Sequence, residues 1–300
     1  MSVIKLSSKC MCEKSCKSLY IFIDSSLKSI MIIMKNIQGR LRMAIMSFCR
    51  YEKKFLVSAE TAKRFAEKIS DHVSMDPYCI GGKEYNISNI YYDTDQHTVI
   101  MHSLSKPKYK EKLRVRSYGV SDMDSKVYIE LKKKINGLTL KRRATMSLRE
   151  SYEYFSMGKK PIGLNYINRQ VLSEIDYYLS THDVKPMIYV AYDRTAYFAN
   201  DDKSIRISID RNVRTRRYDL ELNKGDYGDD LLARWVRYKK LDIKDPRLIE
   251  IKISNSFPIW LVEALSSEQM RMRPFSKYGN EFRMFSNEFE TDDLKEIILK

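Results

Sequence analysis

The sequence predicts an α+β domain in which about eight mostly antiparallel strands close into a tunnel with a basic lumen, helices packed outside. Three observations predict it. Segments with apolar residues at every second position recur along the chain. In most of them the polar face carries Lys and Arg at mid-strand positions. The 300 residues hold 54 Lys+Arg against 39 Asp+Glu, a net +15, and such an excess calls for an anionic partner. Hydrophobic residues at 43% and charged residues at 31% exclude a membrane bundle and a disordered chain.

Each element has a local reason. Arg50–Val57 reads as a first strand, and Ser58 caps a helix to about Ser70 with Ala59, Ala62, Phe65, Ala66 and Ile69 on one face. Tyr85–Asp93 is aromatic and β-branched, and Lys112–Tyr118 alternates strictly. Val127–Ile135 and Leu138–Thr145 flank Asn136-Gly137, a type I′ hairpin signal. Tyr166–Ser180 has helical spacing, and Tyr189–Phe198, Ser204–Val213 and Leu248–Ser254 read as strands. Ser256 is expected to cap a helix with Pro258 in its first turn, and a last helix is expected from Ser276. No long linker or repeat interrupts this body, so a single domain of roughly 250 residues is expected.

Alternate strand residues share a face. Lys112, Arg114, Arg116 and Tyr118 oppose Leu113 and Val115, while Tyr128, Glu130, Lys132 and Lys134 oppose Val127, Ile129 and Leu131. Thr139, Lys141, Arg143 and Thr145 share a face, as do Arg206, Ser208 and Asp210, then Glu250 and Lys252, then Arg50, Glu52 and Lys54. With Lys134 set aside near the hairpin end and Arg194 and Lys277 added, twelve cations and four acids (Glu52, Glu130, Asp210, Glu250) are candidates for the lumen, a net +8. Enclosing that much charge is costly unless water or a polyanion compensates it. Arg offers a planar fork to phosphate oxygens, Lys a point charge, and a few carboxylates suit a hard divalent cation bridging phosphates.

Other chemistry is absent from the sequence. There is no GxxxxGK[ST] loop and no HExxH, and His72, His97, His102 and His182 are scattered. No helix-turn-helix, zinc finger or RNP-like strand supports nucleic-acid binding. The five cysteines (Cys10, Cys12, Cys16, Cys49, Cys79) form no disulfide framework, which favours a reducing, cytoplasmic compartment. Residues 1–48 hold eight Lys/Arg and two acids, and no run reaches about 18 apolar residues. Residues 1–45 are read as an extension to a domain spanning 46–300. Two readings of it stay open: a basic amphipathic helix making a peripheral membrane contact, or an over-called start with Met43 or Met46 beginning the protein.

The opening strand, Arg50-Tyr51-Glu52-Lys53-Lys54-Phe55, resembles the ExExK strand of the triphosphate tunnel metalloenzymes (the CYTH-like superfamily), with Arg50 in place of the first Glu. Further stretches resemble the catalytic domain of the vacuolar transporter chaperone (VTC) family of polyphosphate polymerases. They are Tyr91-Tyr92-Asp93-Thr94, Leu113-Arg114-Val115-Arg116-Ser117-Tyr118-Gly119, Glu130-Leu131-Lys132, Lys141-Arg142-Arg143, Tyr192-Asp193-Arg194-Thr195-Ala196-Tyr197, Ile205-Arg206-Ile207-Ser208-Ile209-Asp210, Ile249-Glu250-Ile251-Lys252 and Phe275-Ser276-Lys277-Tyr278. They fall in family order from Arg50 to about Phe285.

The resemblance implies transfer of the γ-phosphate of a nucleoside triphosphate, ATP, to polyphosphate within a β-tunnel. It implies phosphate contacts from Lys54, Arg114, Arg116, Lys132, Lys141, Arg194, Arg206, Lys252 and Lys277, and a metal site for Mn²⁺ or Mg²⁺ at Glu250. Lys112 and Arg143 join the phosphate-binding set, and Glu52 and Glu130 the metal set, because they share the charged face. Arg114, Arg116, Arg206 and Lys252 are the residues expected to carry catalysis. A tunnel triphosphatase and a non-catalytic polyphosphate binder are the alternatives. The missing first Glu weakens a two-metal hydrolytic site and so favours the polymerase.

Overall fold

The computed structural model describes residues 51–136, 138–254 and 256–289. Arg50, Gly137 and the readings made for residues 1–48 lie outside them. The strands are β1 (Tyr51–Ser58), β2 (Val73–Met75), β3 (Tyr85–Asp93), β4 (Tyr109–Tyr118), β5 (Lys126–Ile135), β6 (Leu138–Ser147), β7 (Lys185–Ala199), β8 (Arg206–Arg216), β9 (Asp229–Asp230) and β10 (Pro246–Ile253). The helices are α1 (Ala59–Ile69), α2 (Thr98–Leu104), α3 (Leu148–Met157), α4 (Tyr166–Thr181), α5 (Leu231–Tyr238), α6 (Ile259–Ser267) and α7 (Lys277–Phe289).

One antiparallel sheet runs β1-β10-β8-β7-β3-β4-β5-β6, with β2 added to β7 and β9 to β8. The expected closed tunnel of about eight strands is corrected in two respects. The sheet has ten strands, eight of them on the continuous path, and it is not closed. Among the described residues β1 and β6 are its two edges, with no ladder between them. The sheet is nevertheless strongly curled. Lys132 Nζ on β5 lies 3.8 Å from Glu52 Oε2 on β1, so side chains of strands six places apart meet across the concave face.

The convex face is the dry one. Leu113, Val115, Val127, Ile129 and Leu131 are at most 3% exposed and pack against Leu148 and Tyr154 of α3 and Val171, Leu172 and Ile175 of α4. Ile207, Ile249 and Ile251 are fully buried against Phe65 and Ile69 of α1 and Leu261 and Leu265 of α6. Each such side chain contributes about 1.5–3 kcal/mol, which fixes which face of the sheet turns outward and therefore which turns in. A third cluster joins Leu56, Leu248, Trp235, Phe275 and Tyr278. Leu56 and Leu248 continue the rows of Lys54 and Glu250, so the charged stretch of β1 and β10 ends in an apolar plug carried by α5 and the start of α7.

Caps explain several helix starts. Ser58 accepts from Thr61 N as expected. Ser147 and Glu150 form a capping box on α3, an S-x-x-E signature the sequence reading passed over. Ser256 is not a cap: Pro258 holds the cap position of α6, and its carbonyl accepts from Leu261 N and Val262 N at 3.1 Å. Short β2, β9, α2 and α5 were also not anticipated, because their patterns are too brief for periodicity to register.

Candidate functional site

The concave face carries three carboxylate-centred clusters, each set by strand register. In the first, β1 and β10 place Lys54 opposite Glu250 and Glu52 opposite Lys252. Glu250, 7% exposed, receives Lys54 Nζ at 3.2 Å on one oxygen and Lys252 Nζ at 2.7 Å on the other. Lys252 also lies 3.9 Å from Glu52, and Lys54 Nζ donates to the Phe275 carbonyl at 2.9 Å. Burial alone would raise the Glu250 carboxyl, but Lys252, Lys54 and Arg194 outweigh it and hold the group well below the usual carboxylate range. Lys54, desolvated but beside Glu250 and Glu52, is correspondingly held above its ordinary value.

The second cluster centres on Glu130 of β5, which is fully buried. Arg114 Nε and Arg143 Nε each donate to it at 2.8 Å, and Lys141 and Arg116 lie at 3.6 and 3.8 Å. Burial opposes ionisation here too, but Arg114, Arg116, Lys141 and Arg143 prevail and hold the carboxyl well below its usual range. Arg114 also donates to Tyr91 Oη at 2.8 Å. Arg116 donates to Asn89 Oδ1 at 2.9 Å and to Tyr192 Oη at 3.1 Å. Asn89 is itself locked by donating to the Val190 carbonyl.

The third cluster centres on Asp210 of β8, also fully buried. Arg194 of β7 forms a bidentate pair with it at 2.6 and 2.8 Å, and Lys277 Nζ lies 2.5 Å away. A cation at a helix N-terminus opposes the helix dipole. Lys277 is held there by Asp210, while Ser276 accepts from Gly279 N and Tyr278 Oη donates to the buried Asp93 at 2.6 Å. Tyr192 lies among these cations: burial would raise its phenol, but Arg116, Arg194 and Lys277 bring it down to about 8.

Two predicted residues stand apart. Arg206 donates to Asp76 at 2.6 Å and to Tyr85 Oη at 3.3 Å, and its buried Nε has no partner among the described residues. Lys112 has no ion pair or hydrogen bond among the described residues. Burial, then Lys110, Lys132 and Lys54, lower it to about 7. Lys132 is lowered by burial although Glu52 opposes this, and Lys141 falls to about 8 although Glu130 opposes it. The face is therefore short of negative charge at its lysines, as a surface that receives a polyanion would be.

The three clusters thus bring together the described residues expected to bind phosphate or metal, apart from Arg206 and Lys112. Among the described residues no three His, Cys or acidic side chains are grouped as a metal cage. Glu52 and Glu250 still fit a divalent cation of the kind that takes one or two carboxylates and completes its shell with phosphate oxygens and water. They lie on paired strands, and Lys252 contacts both. Glu130 fits one less well, since it is fully buried and enclosed by three arginines and a lysine. Sequence reasoning did not single out Asp76, Asn89, Tyr91 or Tyr192. Asn89, Tyr91 and the loop residue Asp76 are uncharged or outside the strands, and only the motif stretches containing Tyr91 and Tyr192 hinted at them.

Vacuolar transporter chaperone complex subunit 4 of Schizosaccharomyces pombe is 25% identical over 221 residues, 64% of this chain. The chain spans 30% of that relative's length. A putative adenylate cyclase of Bacillus halodurans is 16% identical, with 75% of this chain and 92% of that one covered at a TM-score of 0.43. A putative adenylyl cyclase of Hippeastrum, described as having a dominant triphosphatase activity, is 15% identical over 76% of this chain and 92% of its own at 0.41. The VTC domain family matches residues 49–286, most of the chain, and the chain belongs to that family.

Proposed function

We propose that the domain is a metal-dependent polyphosphate polymerase that moves the γ-phosphoryl group of a nucleoside triphosphate onto a polyphosphate chain. The observation that carries this reading is the curled concave face. It sets Lys and Arg on seven strands around three carboxylates, with Glu52 and Glu250 linked through Lys252 to one side. Phosphoryl transfer asks for positioning and charge neutralisation, and this face offers both without a nucleophilic side chain.

A terminal oxygen of the acceptor phosphate attacks the γ-phosphorus, the bond from that phosphorus to the β-bridging oxygen breaks, and nucleoside diphosphate leaves. Arg114 and Arg116, held by Glu130, Tyr91, Asn89 and Tyr192, present guanidinium groups pre-set for equatorial phosphate oxygens. Arg206 is held by Asp76 and Tyr85 at the same face, and Lys252 stands between Glu52 and Glu250. Lys54, Lys112, Lys132, Lys141, Arg143, Arg194 and Lys277 hold the remaining phosphates. Mn²⁺ or Mg²⁺ bound at Glu250 and Glu52 would supply charge neutralisation for the diphosphate.

Among the described residues no helix is long and apolar enough to cross a membrane. The reading places the domain in the cytoplasm with nucleotide and polyphosphate as partners and no nucleic acid. A membrane contact through residues 1–45 belongs to the same proposal.

The test is incubation of the protein with ATP and Mn²⁺, with products resolved on a gel stained for polyphosphate. A ladder that Glu250→Gln removes is expected. Release of free phosphate alone would make the domain a triphosphatase and overturn the polymerase.

A further inference from the structure

The charged rows do not end alike at their two ends. At one end the rows of β1 and β10 run into the apolar plug at Leu56 and Leu248. At the other, the rows of three adjacent strands end in tyrosines: Tyr118 after Arg114 and Arg116 on β4, Tyr128 after Glu130 on β5, and Tyr85 on β3. A fourth, Tyr78, reaches in from the segment after β2 and lies parallel to Tyr118, with ring centroids 5.9 Å apart and planes 8° from parallel. Tyr85 is 6.1 Å from both Tyr78 and Tyr118, and Tyr128 stands edge-on to Tyr118 at 5.6 Å.

This group is fastened to the cationic face. Asp76, 3% exposed, accepts from Tyr78 N and from the Arg206 guanidinium, which also reaches Tyr85 Oη. The Arg143 guanidinium covers the Tyr128 ring at 4.4 Å. Yet the assembly leaves large ring faces open: Tyr78 is 66% exposed and Tyr118 38%. Two aromatic rings held in place by two half-buried ones and left wet are costly for a surface with no ligand. They are the arrangement on which a planar base stacks without regard to its identity.

The geometry points to a nucleobase platform at this rim, with Tyr78 and Tyr118 stacking the base of the nucleoside triphosphate whose phosphates Arg206 and Arg143 draw onto the concave face. The occupant follows from continuity. A ligand with an aromatic end and a polyanionic tail matches an aromatic rim joined to a cationic floor, whereas polyphosphate alone has no use for the rings. The inference rests on the phosphate-binding reading above and extends it to the donor nucleotide's other end.

The experiment is calorimetric titration of the full chain with ATP and with inorganic tripolyphosphate, in parallel for the wild type, Tyr78→Ala, Tyr118→Ala and Tyr78→Trp. Expected is about a tenfold loss of ATP affinity in each alanine variant, unchanged tripolyphosphate affinity, and ATP affinity retained in Tyr78→Trp. Tyr78 lies outside the core, so unchanged tripolyphosphate binding certifies the fold. If ATP and tripolyphosphate bind alike and the alanine variants alter neither, the platform is overturned while the phosphate-binding face stands. If the wild type binds neither ligand, the face itself is misread and the platform falls with it.

Discussion

Glu130 and Glu250 occupy equivalent places in the pattern. Each is the inward acid of a cation-rich strand, and each is held ionised against burial by neighbouring cations. Their surroundings differ. Glu130 is fully buried and satisfied by two arginines at 2.8 Å with a third arginine and a lysine behind them. Glu250 is met by two lysines whose side chains are 21% and 31% exposed, with Glu52 on the far side of Lys252. Arginine forks fix geometry, whereas flexible ammonium groups can be moved aside. Under the proposed function, Glu130 is the counter-ion that positions the arginines for phosphate, and Glu250 the acid that would exchange its partners for a divalent cation.

Removing each carboxylate separates these roles. Glu130→Gln leaves three guanidinium groups clustered without their buried counter-ion, and breaking a buried pair in this way costs about 3–5 kcal/mol. Thermal unfolding should show Tm lowered by roughly 10 °C, with ATP affinity lost as the arginines separate. Glu250→Gln should lower Tm by less, reduce Mn²⁺-dependent turnover about 100-fold, and leave tripolyphosphate affinity intact in the absence of metal. If Glu250→Gln proves the more destabilising of the two and turnover survives it, the assignment of roles is reversed.

The contrast was half legible in the sequence. Strict alternation of charged and apolar residues around Arg114, Glu130, Arg206 and Glu250 fixed which side chains face inward, because a one-residue slip would have buried them among the helices. Three things could not be read that way. Nothing local shows which cations converge on Glu130 rather than Glu250, since that depends on the pairing of β4, β5 and β6. Asp76 binds Arg206 from a loop 130 residues away in sequence. And closure of the sheet is a property of its edges, whereas alternation reports only on faces, so an open ten-stranded sheet and a closed barrel produce the same pattern.

Lys112 sharpens the comparison from the cation side, because no carboxylate pairs with it among the described residues. It titrates near 7 in the folded protein, against about 10.4 in an unfolded chain. Between those values the unfolded chain binds more protons, so this residue makes stability rise with pH across that window, and its full penalty applies below it. Lys112→Met should therefore raise Tm at pH 6 and change it little above pH 10.5, while weakening tripolyphosphate several-fold at pH 6. In the wild type, affinity should fall as pH rises through about 7 and then about 8, as Lys112 and Lys141 lose their protons. A pH-independent affinity would mean that neither lysine touches the ligand.

The smallest expected effect is the most local. Tyr192 has a phenol brought down to about 8 by Arg116, Arg194 and Lys277, which overcome its burial. Lys277 lies 4.1 Å and Arg194 4.9 Å from the centre of its ring. These two cations belong to the Asp210 cluster and Arg116 to the Glu130 cluster, so the hydroxyl reports on the space between the two. Ultraviolet difference spectroscopy should show one tyrosine ionising near pH 8 that Tyr192→Phe removes, with activity reduced only a few-fold. Tripolyphosphate bound there would spend the positive charge that lowers the phenol, and the transition should move toward the ordinary tyrosine value of about 10. A transition unmoved by ligand would place the phosphates away from Arg116, Arg194 and Lys277, confining the phosphate path to the Glu250 side of the face.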